Sequence, residues 1–165
     1  MATTENTETP ASTSGEFDGV ADGLRQAVPF VRTLGLEFLE ISLNRAVLRL
    51  PDQAAHHNHL GGPHAGALFT LAESASGALV ITNFGPMLDR YTPLAVRAEI
   101  RYLKLAMGPI TAEATLGADA QGVTERLEAG EKPEFTVDIT MRREDGTPTT
   151  EMTVIWALRP ARMAP

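Results

Sequence analysis

From His64 to Phe84 the chain is built almost wholly of apolar and small residues, with a single acid, Glu73, near the middle. Read as a helix over His64 to about Asn83, it places Ala65, Leu68, Leu71, Ala72, Ala75, Leu79 and their apolar neighbours around most of the circumference. A helix that is apolar nearly all round must be enclosed, by lipid or by its own protein. A carboxylate at the centre of a membrane span costs at least about 2.5 kcal/mol, and Ala-rich segments insert weakly. The segment therefore reads as a core helix. Its small residues (Ala65, Gly66, Ala67, Ala72, Ser74, Ala75, Ser76, Gly77 and Ala78) let other backbone approach closely.

What can enclose such a helix is written on either side of it. Upstream, Leu24, Ala27, Val28 and Val31 keep helical spacing, with Asp22 as a cap and Pro29 breaking the helix. Two strand-like runs follow, Leu36 to Ser42 and Ala46 to Leu50, with Asn44 and Arg45 as the turn. A polar loop from Asp52 ends in Gly61-Gly62-Pro63, a strong break before the core helix. Downstream come Pro93 to Leu105, with Val96, Ala98, Ile100 and Tyr102 on one face and Arg97, Glu99 and Arg101 on the other, then Pro109 to Gly117. A short surface helix over Asp119 to Glu131 precedes two last strands, Pro133 to Arg142 and Thr147 to Leu158. Asp145-Gly146 between them is a hairpin signal. Six strands and one buried helix, without βαβ alternation, predict an α+β domain with an antiparallel sheet wrapped around the helix. The domain is expected over residues 20–158, with a disordered N-terminal tail over 1–19 and a frayed tail over 159–165.

Composition narrows the chemistry. The 165-residue chain has no cysteine, so disulfides, zinc-thiolate sites and a catalytic thiol are excluded. A reducing cytoplasm is the expected compartment. The formal charge of −7 argues against nucleic acid or an anionic membrane as partner. Residues 1–19 lack the basic and apolar regions of a secretory signal. No Gly-x-Ser-x-Gly elbow, dinucleotide fingerprint or Walker loop is present. His56, His57, His59 and His64 suggest a metal, but their alternating spacing points the rings apart and no carboxylate is seen close by. No metal and no cofactor are expected.

The informative segment is Asn58-His59-Leu60-Gly61-Gly62-Pro63-His64-Ala65-Gly66, followed by Glu73. The free N–H groups and positive end of a helix N-terminus let Ala65 or Gly66 donate to a carbonyl oxygen gaining negative charge. A carboxylate in an apolar helix needs a partner, a wet cavity or a raised pKa, which makes Glu73 a functional candidate. Eight residues separate Ala65 from Glu73, a rise of roughly 12 Å, too far for one carbonyl to meet both. Two antiparallel copies of the helix across a two-fold axis would bring Glu73 of one subunit to Ala65 of the other, twice per dimer.

This segment resembles the hotdog-fold thioesterases, especially those of the phenylacetate-pathway and hydroxybenzoyl-CoA type. Their pattern is an Asn or Gln, a His-Gly-Gly opening the central helix, and an acid nine residues after that His. Here Asn58, His64-Ala65-Gly66 and Glu73 stand at those places. The His-Ala-Gly-Ala-Leu-Phe-Thr-Leu-Ala-Glu wording is most similar to a poorly characterised bacterial branch, and Ile100-Arg101-Tyr102-Leu103-Lys104 extends the likeness. The resemblance implies a hotdog fold and an acyl-CoA substrate, with coenzyme A entering only as part of that substrate. It also implies a homodimer or larger assembly. The Ala65 N–H would polarise the thioester carbonyl, Glu73 would act as general base or as nucleophile, Asn58 would orient water or substrate, and His64 would hold the helix start. Two departures stand out. Ala65 replaces the usual Gly, and Gly77 lies one turn past the acid, where some members carry Thr or Ser; Ser76 is the nearest substitute. Arg101 and Lys104 are candidates for the nucleotide phosphates.

Bland readings stand beside these. Glu73 can be an interface carboxylate, Asn58 a loop brace, His64 a cap, and Arg101 part of a solvated strand face. A non-catalytic acyl-CoA-binding domain and an acyl-thioester hydratase using His64 are the rival functions.

Overall fold

The computed structural model describes residues 17–161; most of the expected N-terminal tail and the last four residues lie outside them. In chain order the elements are α1 (Asp18–Ala27), α2 (Pro29–Thr33), β1 (Glu37–Ile41), β2 (Arg45–Leu50), a 3-10 turn (Ala54–His56), α3 (Ala65–Phe84), a second 3-10 turn (Gly85–Met87), β3 (Tyr91–Tyr102), β4 (Ile110–Leu116), α4 (Ala120–Glu128), β5 (Glu134–Arg143) and β6 (Pro148–Pro160). The strands form one antiparallel sheet in the order β1-β2-β4-β5-β6-β3. α3 crosses from the β2 side to the far edge and packs on the inner faces of β2, β4 and β5. This is the α+β hotdog architecture, with six strands.

The period of two along each strand decides which side chains meet the helix. Ala46, Leu48 and Leu50 of β2, Ile110, Ala112 and Ala114 of β4, and Val137, Ile139 and Met141 of β5 all point inward and are buried. Against them α3 sets Leu68, Leu71, Ala72, Ala75, Ala78 and Leu79, also buried. Each fully enclosed Leu stabilises by about 1.5–3 kcal/mol, while the alanines let the strands approach. By length and composition, Ala65–Met87 would suffice to cross a membrane; here the sheet wraps it. The outer face carries Arg45, Arg49, Glu113, Asp138, Arg142 and Glu151, several in ion pairs.

Several local expectations need correction. α1 begins at Asp18, four residues before the expected cap; Asp22 sits inside the helix, paired with Arg25 at 3.0 Å. Ala21 and Leu24, buried on one face, set that helix's register. Val28 breaks the helix and Pro29 opens α2, where its missing N–H costs nothing. Arg45 belongs to β2 rather than to the turn, held there by Glu40 and Glu113. β3 starts at Tyr91 and stops at Tyr102. It pairs Ala95 with Trp156 but Arg97 with Ile155, so Val96 bulges out of the row that Ala98, Ile100 and Tyr102 keep. β6 continues through Arg159 and Pro160, which pair with Thr92 and Tyr91. At the β5–β6 hairpin Gly146 has φ +79°, a left-handed position that favours glycine, and its N–H donates to Arg143 O at 2.9 Å.

Candidate active site

The start of α3 is assembled by the loop before it. His64 is the N-cap in extended backbone, its N–H donates to His56 O at 2.7 Å, and its Nδ1 accepts the Gly66 N–H at 2.9 Å. Ala67 and Leu68 both donate to His64 O. The Ala65 N–H alone in this first turn has no partner among the described residues. A free N–H at the positive end of a twenty-residue helix is a donor oriented before any ligand arrives. The Gly66 N–H, the other candidate, is committed to the cap.

Asn58 braces the loop. Its Oδ1 accepts the Leu60 N–H at 2.8 Å and its Nδ2 donates to Pro63 O at 3.2 Å, while Asn58 N and Gly62 O close the turn at 2.8 Å. Half-buried, it retains one amide hydrogen and one lone pair. Gly62 is required by a close approach: a Cβ there would lie 2.2 Å from Ala106 O and 2.9 Å from Met107 Sδ. The loop after β3 thus clamps the entry to α3, and from β3 itself the Tyr102 hydroxyl donates to Ala65 O at 3.2 Å.

Glu73 lies two turns along, on the stripe of α3 shared by Gly66, Thr70 and Gly77. It is half-buried, has no hydrogen-bond or ion-pair partner among the described residues, and burial pushes its carboxyl above the usual carboxylate range. Because α3 is unbroken, the helical rise keeps it about 12 Å from Ala65. One chain does not bring the two together.

Ser76 is not on this surface. It is fully buried, its hydroxyl donating to Glu73 O at 2.7 Å and accepting the Trp156 indole N–H at 3.1 Å. The Trp156 ring also lies 3.8 Å from where a Gly77 Cβ would stand. Ser76 is thus a core tie between α3 and β6, which corrects its assignment to the substrate. Arg101 alternates with Ile100, whose partner Met152 faces the core, so it lies on the outer sheet face, 3.2 Å from Glu151. Lys104 follows β3, exposed and without an ion-pair partner among the described residues. Sequence reasoning missed the Trp156–Ser76 and Tyr102–Ala65 contacts, which span 80 and 37 residues and leave no local signal. It also overlooked a carboxylate: Asp52 lies 2.6 Å from His57 Nε2. Among the described residues no group of three or more His, Cys, Asp or Glu is placed to hold a metal.

β3, the last strand of the sheet, exposes Leu94, Val96 and Tyr102 at 47%, 49% and 51%, with Leu103 and Leu105 beyond it. A long apolar edge is an open template for pairing.

Fold and helix-start geometry together define a hotdog-fold protein. The chain belongs to the family described as a domain of unknown function, DUF4442, whose model matches residues 19–158. Among solved structures it is similar to PA5026 of Pseudomonas aeruginosa, a protein of unknown function described as a probable thioesterase. The identity is 30% and the TM-score 0.75, over 87% of this chain and 95% of that one. It also resembles a thioesterase family protein from Silicibacter pomeroyi, at 20% identity and TM-score 0.68, over 86% and 96% of the two chains. A third is the PaaI protein of the phenylacetic acid degradation operon of E. coli, at 16% identity and TM-score 0.67, over 84% and 90%. The last two likenesses speak for the fold. No curated protein matches the sequence.

Proposed function

We propose that the protein hydrolyses an acyl-CoA thioester at a site shared between two subunits. The observation that carries this reading is the Ala65 N–H at the start of α3, together with the half-buried Glu73 two turns along the same helix, neither of which has a partner among the described residues. The thioester carbonyl accepts from Ala65 N–H of one subunit. Glu73 of the other, its affinity for a proton raised by burial, takes a proton from water as the water attacks. The tetrahedral intermediate then expels the coenzyme A thiolate, which takes up the proton held by Glu73 and leaves as the thiol, and the carboxylic acid departs with Glu73 again a carboxylate. Asn58, with one amide hydrogen and one lone pair free, orients water or substrate, and Lys104 meets a nucleotide phosphate. The exposed apolar edge of β3, with Leu94, Val96 and Tyr102 uncovered in the single chain, supports a two-fold assembly that pairs there.

The non-catalytic acyl-CoA-binding reading has one observation of its own: Gly77 faces the Trp156 ring and offers no hydroxyl beside Glu73. A hydratase built on His64 has less support, because Nδ1 of that ring is engaged in the cap. The test is thiol release from a panel of short, long and aromatic acyl-CoAs, with Glu73→Ala in parallel. Turnover by the parent that collapses in the variant upholds hydrolysis. Saturable binding with no thiol release from either protein transfers the site to the binding reading.

A further inference from the structure

Gly62, which closes the loop onto the start of α3, is held from outside by the turn that follows β3. Ala106 O and Met107 Sδ press on its backbone so closely that a Cβ would meet them at 2.2 and 2.9 Å. That backbone carries the hydrogen bonds of the loop. Gly62 O accepts the Asn58 N–H at 2.8 Å, and Pro63 O beside it accepts Asn58 Nδ2 at 3.2 Å. Two residues beyond Pro63 stands Ala65, whose N–H has no partner among the described residues. Gly62 and Ala106 are buried, but Met107 leaves 38% of its surface exposed. The other described methionines, Met87, Met141 and Met152, are all buried. Because the chain has no cysteine, no thiol competes for an oxidant, and susceptibility among the thioethers follows exposure.

We propose that Met107 is a site of oxidation to the sulfoxide, and that this modification loosens the clamp on Gly62 and so disarms the start of α3. The oxygen comes from a peroxide. A lone pair on Sδ attacks one peroxide oxygen, the O–O bond breaks, and the second oxygen leaves as water. Sulfur is oxidised by two electrons and the peroxide is reduced by two. A pliant, apolar side chain thereby becomes a polar one carrying an extra atom. An oxygen added on the side facing Gly62 has no room there, and one added on the open side draws the sulfur towards water. Either way the contact with Gly62 is lost, and the loop keeps only one of the two groups that hold it. Misplacing a catalytic group by about 1 Å costs on the order of 10² in rate. The loss of turnover rests on the Ala65 N–H being the carbonyl donor; the modification and the loosened loop do not.

The experiment treats the assembled protein with hydrogen peroxide, alone and followed by methionine sulfoxide reductase. It is read by peptide mass mapping, by thiol release from acyl-CoA and by the amide resonances of Asn58 and Ala65. Met107 should gain one oxygen before Met87, Met141 or Met152 does, turnover should fall by about tenfold or more, and both resonances should move. The reductase should reverse all three changes. Met107→Leu, close in volume and without sulfur, should keep its turnover and resonances under peroxide. A Met107 that stays unoxidised while free methionine in the same solution is consumed overturns the inference. So does an oxidised Met107 with unmoved resonances, or a loss that persists in Met107→Leu. Should Met107→Leu not fold, restoration by the reductase decides. If the parent turns over no thioester, mass mapping and the resonances still decide. Resonances moved by oxidation and restored by the reductase uphold the Met107 switch while the hydrolytic reading fails, and unmoved resonances overturn the switch itself.

Discussion

Replacing Ala65 by proline would remove one hydrogen atom from the site and little else. The position is the first of α3, where proline is well tolerated because its missing N–H has no intrahelical partner. His64, which would precede the proline, already has φ −62° and ψ 144°, within the extended region that a following proline demands. Ala65 is exposed, so the ring meets no packed neighbour, and the N–H it replaces bonds to nothing among the described residues. Stability should change by no more than about 1 kcal/mol, with a gain as plausible physically as a loss, since proline restricts the unfolded chain. The same atom, if it holds the developing oxyanion, is worth about 2.7–4 kcal/mol in the transition state, or 10²–10³ in kcat. Thiol release, with a thermal melt of each protein, separates the two effects, and Ala65→Gly, which keeps the N–H, should retain turnover within a few-fold. An Ala65→Pro protein that melts with the parent and turns over at the parent rate would refute the assignment.

The remaining predictions concern the groups around it. Burial raises the Glu73 carboxyl, so the folded state binds its proton more readily than the unfolded chain. The stability this contributes is complete below the ordinary carboxylate range and lost as pH rises through the raised pKa. Glu73→Gln should therefore raise Tm at pH 8 and show no gain near pH 3; an equal gain at both would exclude the carboxyl as its source. Ser76→Ala strands the Trp156 indole N–H and should destabilise by about 1–3 kcal/mol in a denaturant melt; a raised KM at unchanged stability would return Ser76 to the substrate. Gly62→Ala forces a Cβ onto Ala106 O and should cost about 1–3 kcal/mol, with shifted amide resonances at Ala65; a parental melt and spectrum would show that the loop yields freely.

How much of this was readable in advance depended on whether the signal was local. The core helix was legible because apolar residues around its whole circumference admit few environments, and the break at Gly61-Gly62-Pro63 set its start to within a residue. The Asp-Gly hairpin was legible for the same reason, since a positive φ at Gly146 depends on that residue alone. The cap at Asp22 was misjudged because the register of α1 is set by Ala21 and Leu24 packing into the core rather than by a polar residue at its start. The alternation along β3 was misread at Val96 because a bulge is a property of two strands and leaves no trace in one.

The candidate site divides in the same way. By itself the sequence determined that a helix N-terminus and an acid eight residues later lie on one buried helix, because helical rise and apolar patterning are local matters. Only the tertiary structure decided which N–H of that terminus is free among the described residues, and that Ser76 belongs to Trp156 and Arg101 to the outer sheet face. Those outcomes turn on contacts between strands and helix far apart in the chain, which no spacing of neighbouring residues encodes.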